Sequence, residues 1–321
     1  MTDSFLIDVN HVTHRYGSLT ALDDVTFQVP SGSMFGLLGP NGGGKSTLFK
    51  IFSTQLLPSA GNISISGLNL YDNPDEIRNR LAVVFQHPSI DTKLTVRENL
   101  RHHGWLYGLR GRDLSDRIAE ILRRFTLKTR AGDRVETLSG GMRRKVEIAK
   151  GVLSRPEILL MDEPSTGLDP GARRDLWELI RELNRNDSIT IVVTTHLMDE
   201  AENCDTIGIL DQGHLVTIGS PGELKKSVGS QVIEIQTDHV DGVISFLKTQ
   251  YAADFTTLEN KVLFEHRRGH ELIPELMEAL ASEVSGIAVR QPTLEDVFIH
   301  YTGRRFEEPT ENRLGMTNDQ S

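Results

Sequence analysis

Nine consecutive residues, Gly39-Pro40-Asn41-Gly42-Gly43-Gly44-Lys45-Ser46-Thr47, satisfy the pattern G-x-x-x-x-G-K-[ST]. The spacing has a chemical reason. Glycines let the backbone curl until successive N–H groups point inward, where they can cradle the β- and γ-phosphates of a nucleotide. A helix that begins at the end of the loop adds its positive dipole end. Lys45 brings a mobile point charge to the phosphates, the Ser46 hydroxyl can enter a Mg²⁺ shell, and Thr47 offers a further hydroxyl. A second group complements the first. Ile158-Leu159-Leu160-Met161 is an apolar run that ends in Asp162 and Glu163. A buried strand closing on two carboxylates sets Asp162 to bind magnesium through water and Glu163 to polarise an attacking water. Acidic residues end many strands, so this pair takes its meaning from the phosphate loop.

The elements that must position these groups show as hydrophobic patterns. Met34 to Leu38 is a short apolar run entering the glycine loop, and Lys45 to Gln55 reads as a helix. Apolar runs return at Ala82–Phe85, Ile158–Met161, Ile189–Thr194 and Thr206–Leu210. Continuous rather than alternating apolar residues predict strands buried on both faces, hence a parallel sheet flanked by helices, here near 170–186 and 197–203. Ahead of them, Phe5, Ile7 and Val9 alternate, and Val25, Phe27 and Val29 repeat the pattern after a turn at Gly17. Between 95 and 153 the spacing is helical (Thr95–Leu109, Leu114–Phe125, Gly140–Leu153), which predicts a helical insertion between two strands. After Gly229 comes strand Val232–Gln236, helix Asp241–Thr249, strands near 253–257 and 260–265, helix 269–282 and strand 285–290. The order β-α-β-β-α-β is that of a ferredoxin-like unit. The expected organisation is thus an α/β nucleotide-binding domain over 1–228, with a helical subdomain at about 87–155, an α+β domain over 229–303 and a disordered polar tail over 304–321.

Composition bounds the alternatives. The 321 residues suffice for two domains; 38% are hydrophobic and 25% charged, which excludes collagenous and low-complexity chains. Lys plus Arg is 35 against 45 Asp plus Glu, a net charge of −10 that disfavours a nucleic-acid partner. Cys204 stands alone, so no intramolecular disulfide forms, and it is expected as a small buried hydrophobe. Met1-Thr2-Asp3-Ser4 lacks the basic and apolar regions of a signal peptide. No apolar run approaches the ~20 residues needed to cross a bilayer, so a soluble chain is expected, with any membrane role peripheral.

Leu138-Ser139-Gly140-Gly141-Met142 resembles the L-S-G-G-Q signature of the nucleotide-binding subunits of ABC transporters. Further elements resemble that family in family order across residues 5–228: Gln86 after Val83-Val84-Phe85 as the Q-loop glutamine, Ser165-Thr166-Gly167-Leu168-Asp169 as the D-loop, His196 after Val193-Thr194-Thr195 as the switch histidine, and Tyr16 in Arg15-Tyr16-Gly17 as the aromatic that stacks on adenine. Each has a plainer reading alone; Ser139, for example, is a good helix N-cap. The resemblance implies a P-loop ATPase of ABC type, a mixed sheet with a helical subdomain, that binds ATP and Mg²⁺. It implies a homodimer or heterodimer, head to tail, with ATP held between the phosphate loop of one copy and Ser139, Gly140 and Gly141 of the other. Glu163 would be the general base, His196 would hold the γ-phosphate and water in line, and Gln86, with Ser46 and Asp162, would attend the magnesium. Met142 stands where glutamine is usual and Gly43 where alanine is common; Lys45, Glu163 and His196 are all present, so hydrolysis is expected.

The run Leu138 to Ile148 resembles the signature helix of type-2 ABC exporter ATPases. Gln291-Pro292-Thr293-Leu294-Glu295-Asp296-Val297-Phe298, followed by Tyr301-Thr302-Gly303, resembles the C-terminal close of the same class, particularly its multidrug and daunorubicin-type members. This implies a motor subunit at the cytoplasmic face of the membrane, driving a separate integral membrane permease that exports drug-like, lipid or other small molecules. The domain over 231–303 is expected to be a stabilising or dimer-supporting module without a ligand. The permease should dock on the helical insertion near Gln86, where Trp105, Leu106, Tyr107 and Leu109 share an amphipathic helix. Most of that face is expected in the core, with the remainder forming a groove for a short permease helix; Arg97, Arg101 and Arg110 are either its polar rim or a solvated helix face. Adjacent His102 and His103 point apart on a helix and do not make a metal site. The alternative is a soluble ABC-type ATPase acting in translation or DNA repair. Such proteins usually carry two ATPase units or long coiled-coil or zinc insertions, and neither is visible. A P-loop kinase or GTPase would leave Leu138–Met142 unexplained. Cargo is selected in the permease and is not legible in this chain.

Overall fold

The computed structural model describes residues 5–229, 231–251, 255–258, 260–266, 268–280 and 283–306; most of the polar tail lies outside them. The chain clusters into two compact units, Met1–Ile218 and Gly219–Ser321.

In the first unit β1 (Phe5–Tyr16) and β2 (Leu19–Pro30) form an antiparallel hairpin that turns at Gly17, where φ is +59°. Then come β3 (Met34–Leu38), α1 (Lys45–Phe52), β4 (Ala60–Ile65), β5 (Leu68–Asn69), α2 (Pro74–Arg80) and β6 (Leu81–Val84). Three insertion helices follow: α3 (Val96–Leu106), α4 (Gly111–Arg124) and α5 (Gly140–Val152). The chain returns through β7 (Ile158–Asp162), α6 (Pro170–Asp187), β8 (Thr190–Thr195), α7 (Met198–Ala201), β9 (Thr206–Asp211) and β10 (His214–Gly219). One sheet has the order β2-β1-β4-β5, the other β10-β9-β3-β8-β7-β6. In the second, the pairs β9–β3, β3–β8, β8–β7 and β7–β6 are parallel. Every residue of β3 and β8 is buried, which is why their sequences show no polar alternation. Between the sheets, Val9, Phe27, Phe35, Leu48, Phe52 and Leu160 belong to one apolar core. At Gly36 a Cβ would lie 2.9 Å from the sulfur of Cys204, itself 5% exposed.

The register of the parallel strands decides where chemistry can happen. Leu38 pairs with Thr195, Asp162 with Thr194, and Val84 with Met161. The carboxyl ends of β3, β6, β7 and β8 therefore lie side by side. The glycine loop, Gln86, the Asp162-Glu163 pair and His196 all leave from that one edge, the place where open parallel sheets bind ligands.

The insertion begins with a capping box: Thr95 accepts from the Glu98 N–H, and the Glu98 carboxylate accepts from the Thr95 N–H at 2.8 Å. Val96, Leu100, Leu114, Ile118 and Ile148 are buried. Against the sequence expectation, Trp105, Leu106 and Tyr107 face outward, at 43, 83 and 42% exposure. Gly104 causes this. A Cβ there would lie 2.3 Å from Leu114 of α4, so the glycine makes the close helix contact and the aromatic residues of the last turn are left outside.

His103 packs its ring against Tyr107 at 4.8 Å. Burial, together with the nearby Lys150 ammonium, pulls its pKa down to about 4. An unfolded histidine titrates near ~6.5. Between these values the unfolded chain takes up a proton that the folded chain refuses, so stability falls as the pH drops from ~6.5 toward 4 and is complete above that window. The melting temperature of a His103→Phe variant should fall less than that of the parent between pH 7 and pH 5. Parallel pH profiles from scanning calorimetry would contradict this reading.

The second unit contains α8 (Pro221–Ser227), β11 (Val232–Gln236), α9 (Val240–Gln250), β12 (Phe255–Leu258), β13 (Lys261–Glu265), α10 (Gly269–Ala279), β14 (Gly286–Arg290) and α11 (Leu294–Thr302). Its sheet, in the order β12-β13-β11-β14, is antiparallel at every pair, the ferredoxin-like arrangement. Ile233, Ile235, Val262 and Phe264 form the sheet face that packs on Val243, Leu247 and Leu276 of the two helices. Helix α8 belongs with this unit, ahead of the boundary read at 228, because it packs on α11; the hydroxyls of Ser227 and Tyr301 lie 3.3 Å apart.

Candidate active site

The phosphate loop is shaped by positions that only glycine can fill. A Cβ on Gly39 would lie 2.2 Å from the carbonyl oxygen of Leu210, and Gly44 has φ +109° as the residue that caps α1. Lys45, 4% exposed, folds back over the loop and donates to the carbonyls of Gly39 at 2.6 Å and Pro40 at 2.9 Å. Burial lowers its pKa, and the charges of Glu163 and Asp162 oppose that shift. The loop opens on a cleft of about 410 Å³. Asn41, Gly42, Gly44, Lys45, Ser46 and Thr47 line one side; Tyr16, Leu19, Thr20 and Ala21 of the β-hairpin line the other, with Gln212. Tyr16 is 45% exposed, so its ring is open to stack on a planar ligand. Gln212 sat outside every motif.

Glu163 is the hub of the second group. Its backbone has φ +43°, a left-handed conformation uncommon outside glycine, and its N–H donates to both the carbonyl and the hydroxyl oxygen of Thr194 at 3.1 Å. The carboxylate accepts from Gln86 Nε2 at 3.1 Å and from the Thr166 hydroxyl at 3.2 Å, and His196 Nδ1 lies 3.1 Å from its other oxygen. Asp162 accepts from the Thr194 hydroxyl at 2.5 Å. Burial pushes the Asp162 carboxyl above its ordinary range, and the neighbouring Glu163 charge adds to the shift. Both carboxylates act electrostatically on the Lys45 ammonium.

Ser139 and Gly140 are exposed and do not line the cleft. Ser139 caps α5 by accepting from the Met142 N–H at 3.3 Å, so Met142 serves the cap through its backbone, not its side chain. Among the buried charged residues that escaped the sequence reading are Glu200 and Arg144. Glu200, 2% exposed, accepts from the hydroxyls of Ser165 and Thr195, which join the D-loop segment to the residue before His196. Arg144, 7% exposed, lies behind the Gln86–Glu163 pair.

Residues 22–166 match the ABC transporter family, and residues 219–302 match the C-terminal domain of DrrA1-3-like ATP-binding proteins. The linearmycin resistance ATP-binding protein of Bacillus subtilis is 32% identical over 93% of this chain and 99% of its own length. The daunorubicin resistance ATP-binding protein of Streptomyces coeruleorubidus is 34% identical over 94% and 98%. A dimeric ATP-binding cassette in a post-hydrolysis state, bound to ADP and Pi, superposes with a TM-score of 0.60 at 27% identity, covering 67% of this chain and 98% of that one. With a nucleotide cleft, a cluster centred on Glu163 and full-length relatives of this kind, the chain belongs to the ATP-binding subunits of ABC transporters, enzymes that hydrolyse ATP.

Proposed function

We propose that this chain is the ATP-driven motor of an exporter for drug-like, lipid or other small molecules. It would work as a pair of copies, or beside a similar subunit, at the cytoplasmic face of a membrane that holds a separate permease. The observation that carries the reading is the division of the site. Lys45, Gln86, Glu163 and His196 sit along one sheet edge, while Ser139 and Gly140 are exposed outside the cleft they would complete. A chain with half a pocket and a loose capped helix start needs a second copy. Export is supported by the Nod factor export ATP-binding protein I of Rhizobium meliloti, 35% identical over 94% of this chain and 89% of its own length.

In this mechanism Tyr16 stacks on the adenine, and the N–H groups of Gly39 through Thr47 with the Lys45 ammonium hold the phosphates. The Ser139–Gly141 start of α5 from the opposing copy meets the γ-phosphate. Glu163 takes the proton of the attacking water, and His196 fixes water and phosphate in line. Among the described residues no cluster of three or more His, Cys, Asp or Glu side chains could hold a metal ion; a Mg²⁺ here would take one or two protein oxygens and complete its shell with phosphate and water. Ser46, Asp162 and Gln86 would supply hard oxygen ligands of the kind Mg²⁺ takes, and the ion would neutralise phosphate charge. Once phosphate leaves, the shared charge is gone and the pair loosens. We assign the ATPase to the first unit, residues 1–218, with about 87–155 as its helical subdomain, and an accessory role to the second unit.

No helix among the described residues is long and apolar enough to cross a membrane. The partner would therefore reach this chain from outside, and the exposed Trp105, Leu106 and Tyr107 offer it an apolar foothold. The chain should co-purify from detergent-solubilised membranes with an integral membrane protein, and Leu106→Glu should release it while ATP binding persists. Recovery with ribosomes alone would overturn the transport assignment.

A further inference from the structure

Arg144 and Glu147 stand one helical turn apart on α5, with side chains 8 and 3% exposed and 2.7 Å between Nη1 and Oε2. A buried ion pair of this kind adds little net stability, because desolvation offsets the attraction. What the pair does supply is a set of hydrogen bonds, and their targets are specific. Arg144 Nη1 donates to the carbonyl of Phe85 at 2.7 Å, next to Gln86. Its Nε donates to the carbonyl of Pro164 at 2.7 Å, and Nη2 to those of Asp162 and Glu163 at 3.2 and 3.4 Å. One guanidinium therefore grips the backbone on both sides of the hydrolytic pair, at the ends of adjacent strands β6 and β7. Glu147 holds the far end of the Gln86 segment by accepting from the Ser89 N–H at 2.6 Å, and Lys150 donates to the Ser89 carbonyl at 2.8 Å. Residues 85–89 are thus tied to α5 at both ends. The same helix starts at Gly140, capped by Ser139.

We propose that Arg144 is a positioning residue for ATP hydrolysis, which makes the backbones of Gln86 and Glu163 follow the helix that meets the opposing nucleotide. The inference rests on the roles given above to those two residues. Engagement of γ-phosphate at the Gly140 end moves a rigid rod, and Arg144 transmits that movement to the pair on its own chain. A misplacement of about 1 Å at reacting groups can cost ~100-fold in rate, so this grip matters for turnover more than for binding.

The test uses the full-length chain and measures kcat, KM for ATP and melting temperature. Arg144→Met should lower kcat by about 30- to 100-fold and leave KM within about threefold. Arg144→Lys should recover part of the loss, since an ammonium keeps the charge but cannot span the four carbonyls. The double variant Arg144→Met/Glu147→Met removes both buried charges; its melting temperature should return toward the parent while kcat stays low. A kcat for Arg144→Met within about threefold of the parent would overturn the proposal. So would a double variant whose kcat recovers together with its melting temperature, because packing alone would then explain the residue. A parent chain without ATP turnover would instead refute the hydrolytic reading itself, and this inference with it.

Discussion

Replacing Glu163 with glutamine should slow ATP turnover by about 10²- to 10³-fold while nucleotide affinity stays within about threefold of the parent. Glutamine preserves the shape of the side chain and an oxygen that can accept from Gln86 and Thr166, which lie 3.1 and 3.2 Å from the carboxylate. It removes the basicity. A neutral amide cannot take the proton of an attacking water, and a general base typically contributes 10²- to 10⁴-fold. The left-handed backbone at this position, held through Thr194, is the same for both side chains, so the loss should be chemical and not structural. On the proposed pairing, the variant should also accumulate as nucleotide-bound pairs, because the triphosphate that would hold two copies together is cleaved more slowly. Single-turnover kinetics and native mass measurement with Mg²⁺ and ATP would check both points. Turnover equal to the parent's would remove Glu163 from the mechanism.

Lys45→Ala should weaken nucleotide binding by about 100-fold or more. Hydrogen bonds to charged groups contribute roughly 1.5–3 kcal/mol each, and this lysine offers more than one to the phosphates. The change also removes the cross-link from its ammonium to the carbonyls of Gly39 and Pro40, so the loop loses its closed shape before any ligand arrives. Ser46→Ala removes neither, and should cost less affinity. Titration with a fluorescent ATP analogue, beside circular dichroism to verify the fold, gives the comparison. Affinity within about threefold of the parent would mean that the loop amides alone hold the phosphates.

The phosphate loop was legible because its chemistry is contiguous: glycines, lysine and hydroxyls must follow one another along the backbone they shape. The parallel strands were legible because burial on both faces leaves no polar alternation, as in β3 and β8. The C-terminal order of strands and helices could be read from segments such as Val232–Gln236, whose Ile233 and Ile235 alternate onto the packed face, although α11 was not seen as a helix. Its capping box, Thr293 with Asp296, was the available signal. The short strands β4 and β5 carry half-polar patterns that local periodicity does not separate from turns. The reading failed at the end of α3 because amphipathic spacing identifies a helix but not the neighbour it meets; Gly104 made the contact that the aromatics were expected to make. Arg144, Glu147 and Glu200 were illegible for a related reason. In sequence a charged residue reads as solvated, and only partners far along the chain, at Phe85, Ser89 or Ser165, explain its burial. The Arg-x-x-Glu spacing, one helical turn, was the single local hint.

Cys204 lies beneath Gly36, where even a methyl group would collide with its sulfur, and burial raises its thiol far above the ordinary range. At neutral pH it is protonated and out of reach of alkylating reagents. Since the chain has no other cysteine, wild-type protein supplies a silent background for labelling. A thiol engineered at Leu106 would be the sole reactive handle, able to carry a spin label or cross-linker to the apolar tip without any prior removal of native residues.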